Sequence, residues 1–123
     1  LSGGLDSSSI VASILKLTTQ TSKLKTFSAV FPGFEKDESE YIQKVVQKFD
    51  VQNFTVTPTA NDFVNDFEKL LYHQEEPFQS ASIYAQFKVY ELAKQNSDEY
   101  LKLSDKSVED KIQHANLLYL AKY

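Results

Sequence analysis

Hydrophobic positions along the chain follow two different spacings. Two short segments, 25–31 (KTFSAVF) and 53–57 (NFTVT), are rich in β-branched and aromatic residues, and a proline follows each of them. This composition and these stops predict two β-strands. Elsewhere, apolar residues recur every three or four positions, which predicts amphipathic helices. The predicted helices cover 6–18, 38–49, 61–73, 80–95 and 108–123.

The order of these elements predicts the fold class. Strands that alternate with amphipathic helices are typical of an α/β fold with a parallel sheet flanked by helices. Two strands do not form a stable sheet by themselves, and a glycine-rich turn that leads into a helix usually follows a strand. We therefore expect a further strand before Leu1, so that the chain is a fragment of a longer protein. We expect the open sheet edge to be covered by another chain or another copy.

Composition narrows the range of partners. The 123 residues, 41% of them hydrophobic, fit one folded domain. A formal net charge of −4 argues against a nucleic-acid partner, and no apolar run is long enough for a membrane span. The chain has no Cys, which excludes disulfides and thiolate metal sites. These features together predict a cytoplasmic protein that binds neither nucleic acid nor membrane.

The segment 2–8 (SGGLDSS) has the chemistry of a phosphate-binding loop. Paired glycines allow a tight turn and a close approach to a ligand, and the free N–H groups of a helix start favour an anion. Serine hydroxyls can donate to phosphate oxygens, and a carboxylate beside phosphate suits Mg²⁺, which bridges the two. The candidate ligand-binding residues are Ser2, Gly3, Gly4, Asp6, Ser7 and Ser8, with Asp6 as the candidate metal ligand.

A helix cap without any ligand explains the same segment. Glycines followed by Asp and Ser are ordinary residues for a turn and a helix N-cap. The segment lacks the Gly-Lys-Ser/Thr of a Walker loop and the spaced glycines of the dinucleotide fingerprint. From the residues alone, the phosphate loop and the simple cap remain two open alternatives.

Three segments carry a resemblance to a known family. They are 1–12 (LSGGLDSSSIVA), 26–45 (TFSAVFPGFEKDESEYIQKV) and 73–96 (HQEEPFQSASIYAQFKVYELAKQN). The first resembles the loop of the PP-loop ATP pyrophosphatases, and the three together resemble the synthetase domain of glutamine-hydrolysing asparagine synthetase. The resemblance covers 1–96 and implies a Rossmann-like sheet of the adenine-nucleotide alpha hydrolase type.

The resemblance implies ATP and Mg²⁺ as cofactors. The loop residues would hold the pyrophosphate portion of ATP, and Val30 and Phe31 would lie beside the adenosine. The implied reaction converts the aspartate side chain to an adenylate, which ammonia attacks, and the parent would be an ATP-dependent carbon–nitrogen ligase. Ammonia would come from a glutaminase domain that this chain lacks. The resemblance assigns no catalytic residue within the chain.

The chain departs from the family pattern after residue 96. Family members continue with an acidic, glycine-rich loop that carries further pyrophosphate and metal ligands, whereas 97–123 contains no glycine. We expect 1–96 to be a partial synthetase domain and 97–123 to be a polar linker and a C-terminal helix, and we expect the chain alone to lack synthetase activity. The charged segment 36–38 (KDE) precedes a predicted helix, and its acids suit the helix start, whereas Glu75 and Glu76 suit a solvated loop.

Two alternatives to an asparagine synthetase fragment remain. The parent could be another amide-forming synthetase of the same superfamily, such as a β-lactam-forming enzyme. The chain could also be a truncated or degenerate PP-loop protein without catalysis, which forms homo-oligomers through its sheet edge or through the helix predicted over 108–123. The oligomer mass with and without residues 105–123 would separate the last alternative from the others.

Overall fold

A computed structural model describes residues 1–19, 23–78 and 80–103, with side chains as far as Ser97. The elements are α1 (Leu5–Leu17), β1 (Lys25–Ala29), α2 (Ser39–Phe49), β2 (Gln52–Val56), α3 (Ala60–Gln74) and α4 (Ala81–Leu103). The helix predicted over 108–123 lies outside the described residues.

The two strands form a parallel sheet, as the sequence predicted. Lys25 pairs with Gln52 at one end of the ladder, and Ala29 pairs with Val56 at the other. Helix α4 packs on both strands, α1 packs on α2, and α3 packs on α4. The described chain therefore has the helix-flanked α/β arrangement of a Rossmann-like fold.

Side chains of opposite character specify the strand register. On one face, the rings of Phe27 and Phe54 stack with centroids 5.4 Å apart. On the other face, Thr26 and Ser28 donate hydrogen bonds of 2.9 and 3.0 Å to Asn53 Oδ1. Both hydroxyl residues are buried, where an unpaired polar group would be costly. A slip of one residue would exchange the two faces, so this register is strongly preferred.

Capping decides where the helices begin and end. A capping box starts α3: the Asp62 N–H donates to the Thr59 hydroxyl oxygen, and the Thr59 N–H donates to the Asp62 carboxylate. The C-cap residues of α2 and α3 are Asp50 and Glu75, and both have the left-handed conformation. All four helices start within one residue of the positions that the sequence predicted.

Two predicted boundaries were wrong. Helix α4 continues to Leu103 rather than ending at Gln95, because the polar stretch contains no Gly or Pro and Ser97 is buried in the helix. Strand β1 ends at Ala29 rather than Phe31, because the Phe31 N–H leaves the ladder and donates to Asp37. The division into 1–96 and 97–123 stays a prediction, although α4 runs through its boundary.

The apolar face predicted for α1 is only partly buried. Val11 is 5% exposed, whereas Ile10 is 60% and Leu17 is 86% exposed. The helical periodicity was therefore right, but within the described chain α1 packs mainly through one side on α2.

A charged network holds α3 against α4. Lys88 Nζ lies 3.0 Å from Asp66 Oδ2 and 2.7 Å from Glu91 Oε2, and the Tyr84 hydroxyl donates to Asp66 at 2.8 Å. Lys69 reaches Glu91 from the other side. The network therefore joins residues 18 to 22 positions apart in the sequence, and it lies between two helices.

The network perturbs the ionisation of its members. Burial opposes the charged form of Lys88, but the carboxylates of Glu91 and Asp66 outweigh this effect and raise the pKa of the ammonium. Burial likewise opposes the charge of Glu91, but Lys69 and Lys88 lower the pKa of its carboxyl. The hydrogen bonds from Tyr84 and Lys88 lower the pKa of Asp66.

Acid should weaken this network. Asp66 and Glu91 have lower pKa values in the folded chain than when unfolded, so their contribution is full above about pH 5 and is lost as pH falls through the folded values. We expect the melting temperature measured by calorimetry to fall between about pH 5 and pH 2. The melting temperature of a Lys88→Met variant should fall less steeply with acid, whereas that of Lys44→Met should fall as it does in the unsubstituted chain. Equal slopes for Lys88→Met and the parent would contradict this assignment.

Candidate functional site

The start of α1 presents unpaired backbone donors. Gly4 is the N-cap residue and has no side chain to cap the helix. The Ser8 N–H is the first to bond back into the helix, to the Gly4 carbonyl at 3.1 Å. Among the described residues, no acceptor pairs with the N–H groups of Leu5, Asp6 or Ser7. These donors, at the positive end of a 13-residue helix, form an arrangement that suits an anion.

Serine hydroxyls surround the same helix start. Ser2 Oγ and Ser7 Oγ lie 3.1 Å apart, and the Gly4 N–H lies 3.4 Å from Ser2 Oγ. Ser7 Oγ lies 3.3 Å from the Gly4 carbonyl. These contacts are long for hydrogen bonds to a hydroxyl, so the serines can exchange them for better acceptors at little cost. Ser8 Oγ is buried and has no hydrogen-bond partner among the described residues.

Gly3 seats the loop on α2. Its φ is +79°, and a Cβ at this position would lie 2.7 Å from the Tyr41 carbonyl carbon and 2.8 Å from the Ile42 nitrogen. Both the left-handed backbone and the close approach require glycine here. At Gly4, in contrast, a Cβ would meet only Ser2 Oγ at 3.5 Å, so the approach to the helix start is open.

Asp6 is the one acidic residue in the first turn of α1, and it is exposed. The part of the chain that the structure describes contains no group of three or more potential metal ligands. A single carboxylate fits Mg²⁺, which commonly takes one or two carboxylates and completes its shell with phosphate oxygens and water. The exposed Asp6 carboxylate therefore fits Mg²⁺ only if the cation is bound together with a phosphate ligand.

Val30 and Phe31 follow directly after β1, the strand beside which the loop begins. The Leu1 nitrogen donates to the Phe27 carbonyl at 2.5 Å, which places the start of the loop beside β1. The Val30 N–H donates to the Val56 carbonyl at 2.9 Å. The Phe31 N–H also forms a hydrogen bond, to Asp37. Only the carbonyl oxygens and side chains of Val30 and Phe31 could therefore contact a ligand.

Sequence reasoning missed a role for Asp37. It was grouped with acids that suit a helix start, but its Oδ1 accepts from the Phe31 N–H at 2.9 Å and from the Ser39 hydroxyl at 2.8 Å. The bond from Phe31, followed by that from Ser39, lowers the pKa of the Asp37 carboxyl. A carboxylate two residues before a helix, after a Pro-Gly turn, was the only signal available in the sequence.

The other acidic pair considered in the sequence, Glu75 and Glu76, is exposed and lies after α3.

Fold and loop together define a class of protein. A parallel sheet flanked by helices, with a glycine- and serine-rich loop at the start of a helix, is typical of Rossmann-like α/β proteins. Within this class, the chain belongs to the asparagine synthase family, whose profile matches residues 1–102.

One curated relative supports this membership. Over 94 residues the chain is 39% identical to a protein of Methanocaldococcus jannaschii named "Putative asparagine synthetase (glutamine-hydrolyzing) 2". The alignment covers 76% of this chain and 18% of that protein, so the chain spans under a fifth of the relative's length. No solved structure matches the chain significantly. The resemblance noted from the sequence is thus confirmed at the level of the family.

The structure also bears on the membrane prediction. Among the described residues, no helix combines the length and the apolar character that crossing a bilayer requires.

Proposed function

We propose that the segment 2–8 binds the pyrophosphate portion of ATP together with Mg²⁺. The observation that carries this proposal is the convergence, at one open helix start, of unpaired N–H groups with the Ser2 and Ser7 hydroxyls. A helix cap alone would use a serine oxygen to satisfy these N–H groups, but Gly4 occupies the N-cap position and no side chain caps it.

The parent protein would use this site for asparagine synthesis. The aspartate side-chain carboxylate would attack the α-phosphorus of ATP, pyrophosphate would leave, and ammonia would then displace AMP. The family membership and the name of the relative support this reaction. The ammonia would come from glutamine at a glutaminase domain elsewhere in the longer protein. These assignments make the parent an ATP-dependent carbon–nitrogen ligase.

The loop would contribute by positioning and by charge. Its N–H groups and hydroxyls would hold the β- and γ-phosphates, so that the leaving pyrophosphate is stabilised as its charge develops. Bound Mg²⁺ would supply further neutralisation of phosphate charge. Because the start of the loop lies beside β1, the adenosine would lie near Val30 and Phe31, and binding at both places would position the nucleotide.

Calorimetric titration with ATP tests this proposal. We expect saturable binding by the full chain with excess Mg²⁺, and a loss of roughly tenfold in affinity for Ser7→Ala, since a hydrogen bond to a charged group is lost. Asp6→Asn should weaken binding only when Mg²⁺ is present, because without the metal its carboxylate repels phosphate. The matched control is Ser13→Ala, also on α1, whose hydroxyl bonds only within the helix, to Ser9.

Either of two results would overturn the proposal. The first is a folded chain that takes up no ATP at millimolar concentration, in which case the loop is a turn and a helix start only. The second is binding that Ser7→Ala and Ser13→Ala leave equally intact, which would place the nucleotide elsewhere on the chain.

A further inference from the structure

Asp37 joins two elements that flank the candidate site. One oxygen of its carboxylate accepts from the Phe31 N–H, just past the end of β1, and from the hydroxyl of Ser39, the first residue of α2. Two turn hydrogen bonds of 3.0 Å, from Phe34 to Phe31 and from Asp37 to Phe34, make the connection between them compact. The carboxylate therefore sets how the end of β1 meets the start of α2.

The start of α2 is also the seat of the loop. Gly3 approaches the backbone of Tyr41 and Ile42 so closely that no side chain fits between them. A shift of the first turn of α2 relative to β1 would therefore carry the loop with it as a unit. One carboxylate oxygen thus connects the end of β1 to the helix that supports the segment 2–8.

We propose that Asp37 is a positioning residue for the nucleotide. It would set the distance between the loop, which holds the phosphates, and the Val30–Phe31 end of β1, which lies beside the nucleoside. This inference rests on the function proposed above and adds a residue that does not contact the ligand. Asp37 would act through the Phe31 N–H, so its effect should appear only for ligands that reach from the loop to β1.

A role in capping α2 alone predicts a different result. Asp37 precedes α2 by two residues, and a carboxylate at a helix start stabilises the helix whatever binds nearby. In that case its loss would lower stability and would not distinguish ATP from pyrophosphate. The two ligands therefore separate positioning from capping, since pyrophosphate occupies the loop without reaching β1.

The experiment compares two ligands across three proteins. The full chain, Asp37→Ala and Asp37→Asn are each titrated with ATP and with inorganic pyrophosphate, both with Mg²⁺. We expect Asp37→Ala to bind ATP roughly tenfold more weakly, through loss of an ionic acceptor for the Phe31 N–H, and to bind pyrophosphate within about twofold of the parent. Asp37→Asn keeps an acceptor oxygen, so it should recover ATP affinity to within about threefold.

Asp62 provides a matched control for stability. Its Oδ2 also accepts from a backbone N–H and a hydroxyl, both of Thr59, at the start of α3. Asp62→Ala should lower the free energy of unfolding in urea about as much as Asp37→Ala does. It should leave the affinities for ATP and pyrophosphate unchanged.

The outcomes separate this inference from the proposed function. Equal ATP affinity in Asp37→Ala and the parent overturns the positioning role, and so does an equal loss of ATP and pyrophosphate affinity. In both cases the loop still binds phosphate and the proposed function stands. If the unsubstituted chain binds neither ligand, the proposed function is refuted, and this inference with it.

Discussion

Replacing Gly3 with alanine is expected to lower the free energy of unfolding by about 3 kcal/mol, because two penalties add. The backbone φ of +79° is unfavourable for any residue with a Cβ. The new methyl would also lie 2.7 Å from backbone and side-chain carbon atoms of Tyr41, which cannot move without shifting α2. Urea unfolding followed by circular dichroism measures the loss, and ATP affinity should fall in parallel because the loop is displaced.

Gly33 is the matched control for this substitution. Its φ of +84° is nearly the same, but no atom lies within 4 Å of a Cβ built there. Gly33→Ala should therefore cost only the backbone term, about 1 kcal/mol. The difference between the two variants measures the packing of the loop on α2. Equal losses for Gly3→Ala and Gly33→Ala would show that this packing contributes nothing.

The second large effect is expected for Lys88→Met. The Lys88 side chain is 17% exposed and neutralises Asp66 and Glu91, each 23% exposed. Its removal leaves two partly desolvated carboxylates, one of which retains only Lys69. Because breaking a buried ion pair leaves an uncompensated charge, we expect a loss of about 2 kcal/mol, below the value for a fully buried pair because water still reaches this network.

Lys44→Met is the control for Lys88→Met. Lys44 also forms an ion pair within one helix, with Glu40, but the two side chains are 64% and 77% exposed. Solvent screening leaves such an exposed pair with little effect on stability, so Lys44→Met should unfold at nearly the same urea concentration as the unsubstituted chain. In the Lys88→Met background, adding Asp66→Asn should restore part of the loss, since the stranded charge is removed. No recovery in that double variant would place the cost of Lys88→Met in packing rather than in charge.

The elements of this fold could be predicted because their signals are local. Alternating or helical spacing of apolar residues, with prolines after both strands, placed every described strand and helix, and most boundaries agreed within one or two residues. The end of α4 was missed because a polar helix and a polar loop have the same composition when no glycine or proline marks the boundary. The buried Ser97 depends on packing that no local pattern encodes.

The residues of the candidate site were likewise only partly predictable from the sequence. The residues of the loop were predicted from the types that phosphate chemistry needs, and the structure brings Ser2, Gly4 and Ser7 together. Asp37 was missed because its partners lie six residues before it and two after it, and only the turn between them brings the groups into contact. Its neighbour Glu38, also an acid before α2, looked equally suitable in the sequence.

The sequence by itself determined the order of strands and helices, the loop at the start of α1 and the family resemblance, since each depends on residues close together in the chain. Tertiary structure decided which member of a pair of similar residues makes contacts between distant elements. Gly3 and Gly33 each have a positive φ, but only Gly3 faces another backbone. Lys88 and Lys44 are both helical lysines beside a glutamate, but only Lys88 lies between two helices. These distinctions arise from contacts between distant segments, which exist only once the elements have packed.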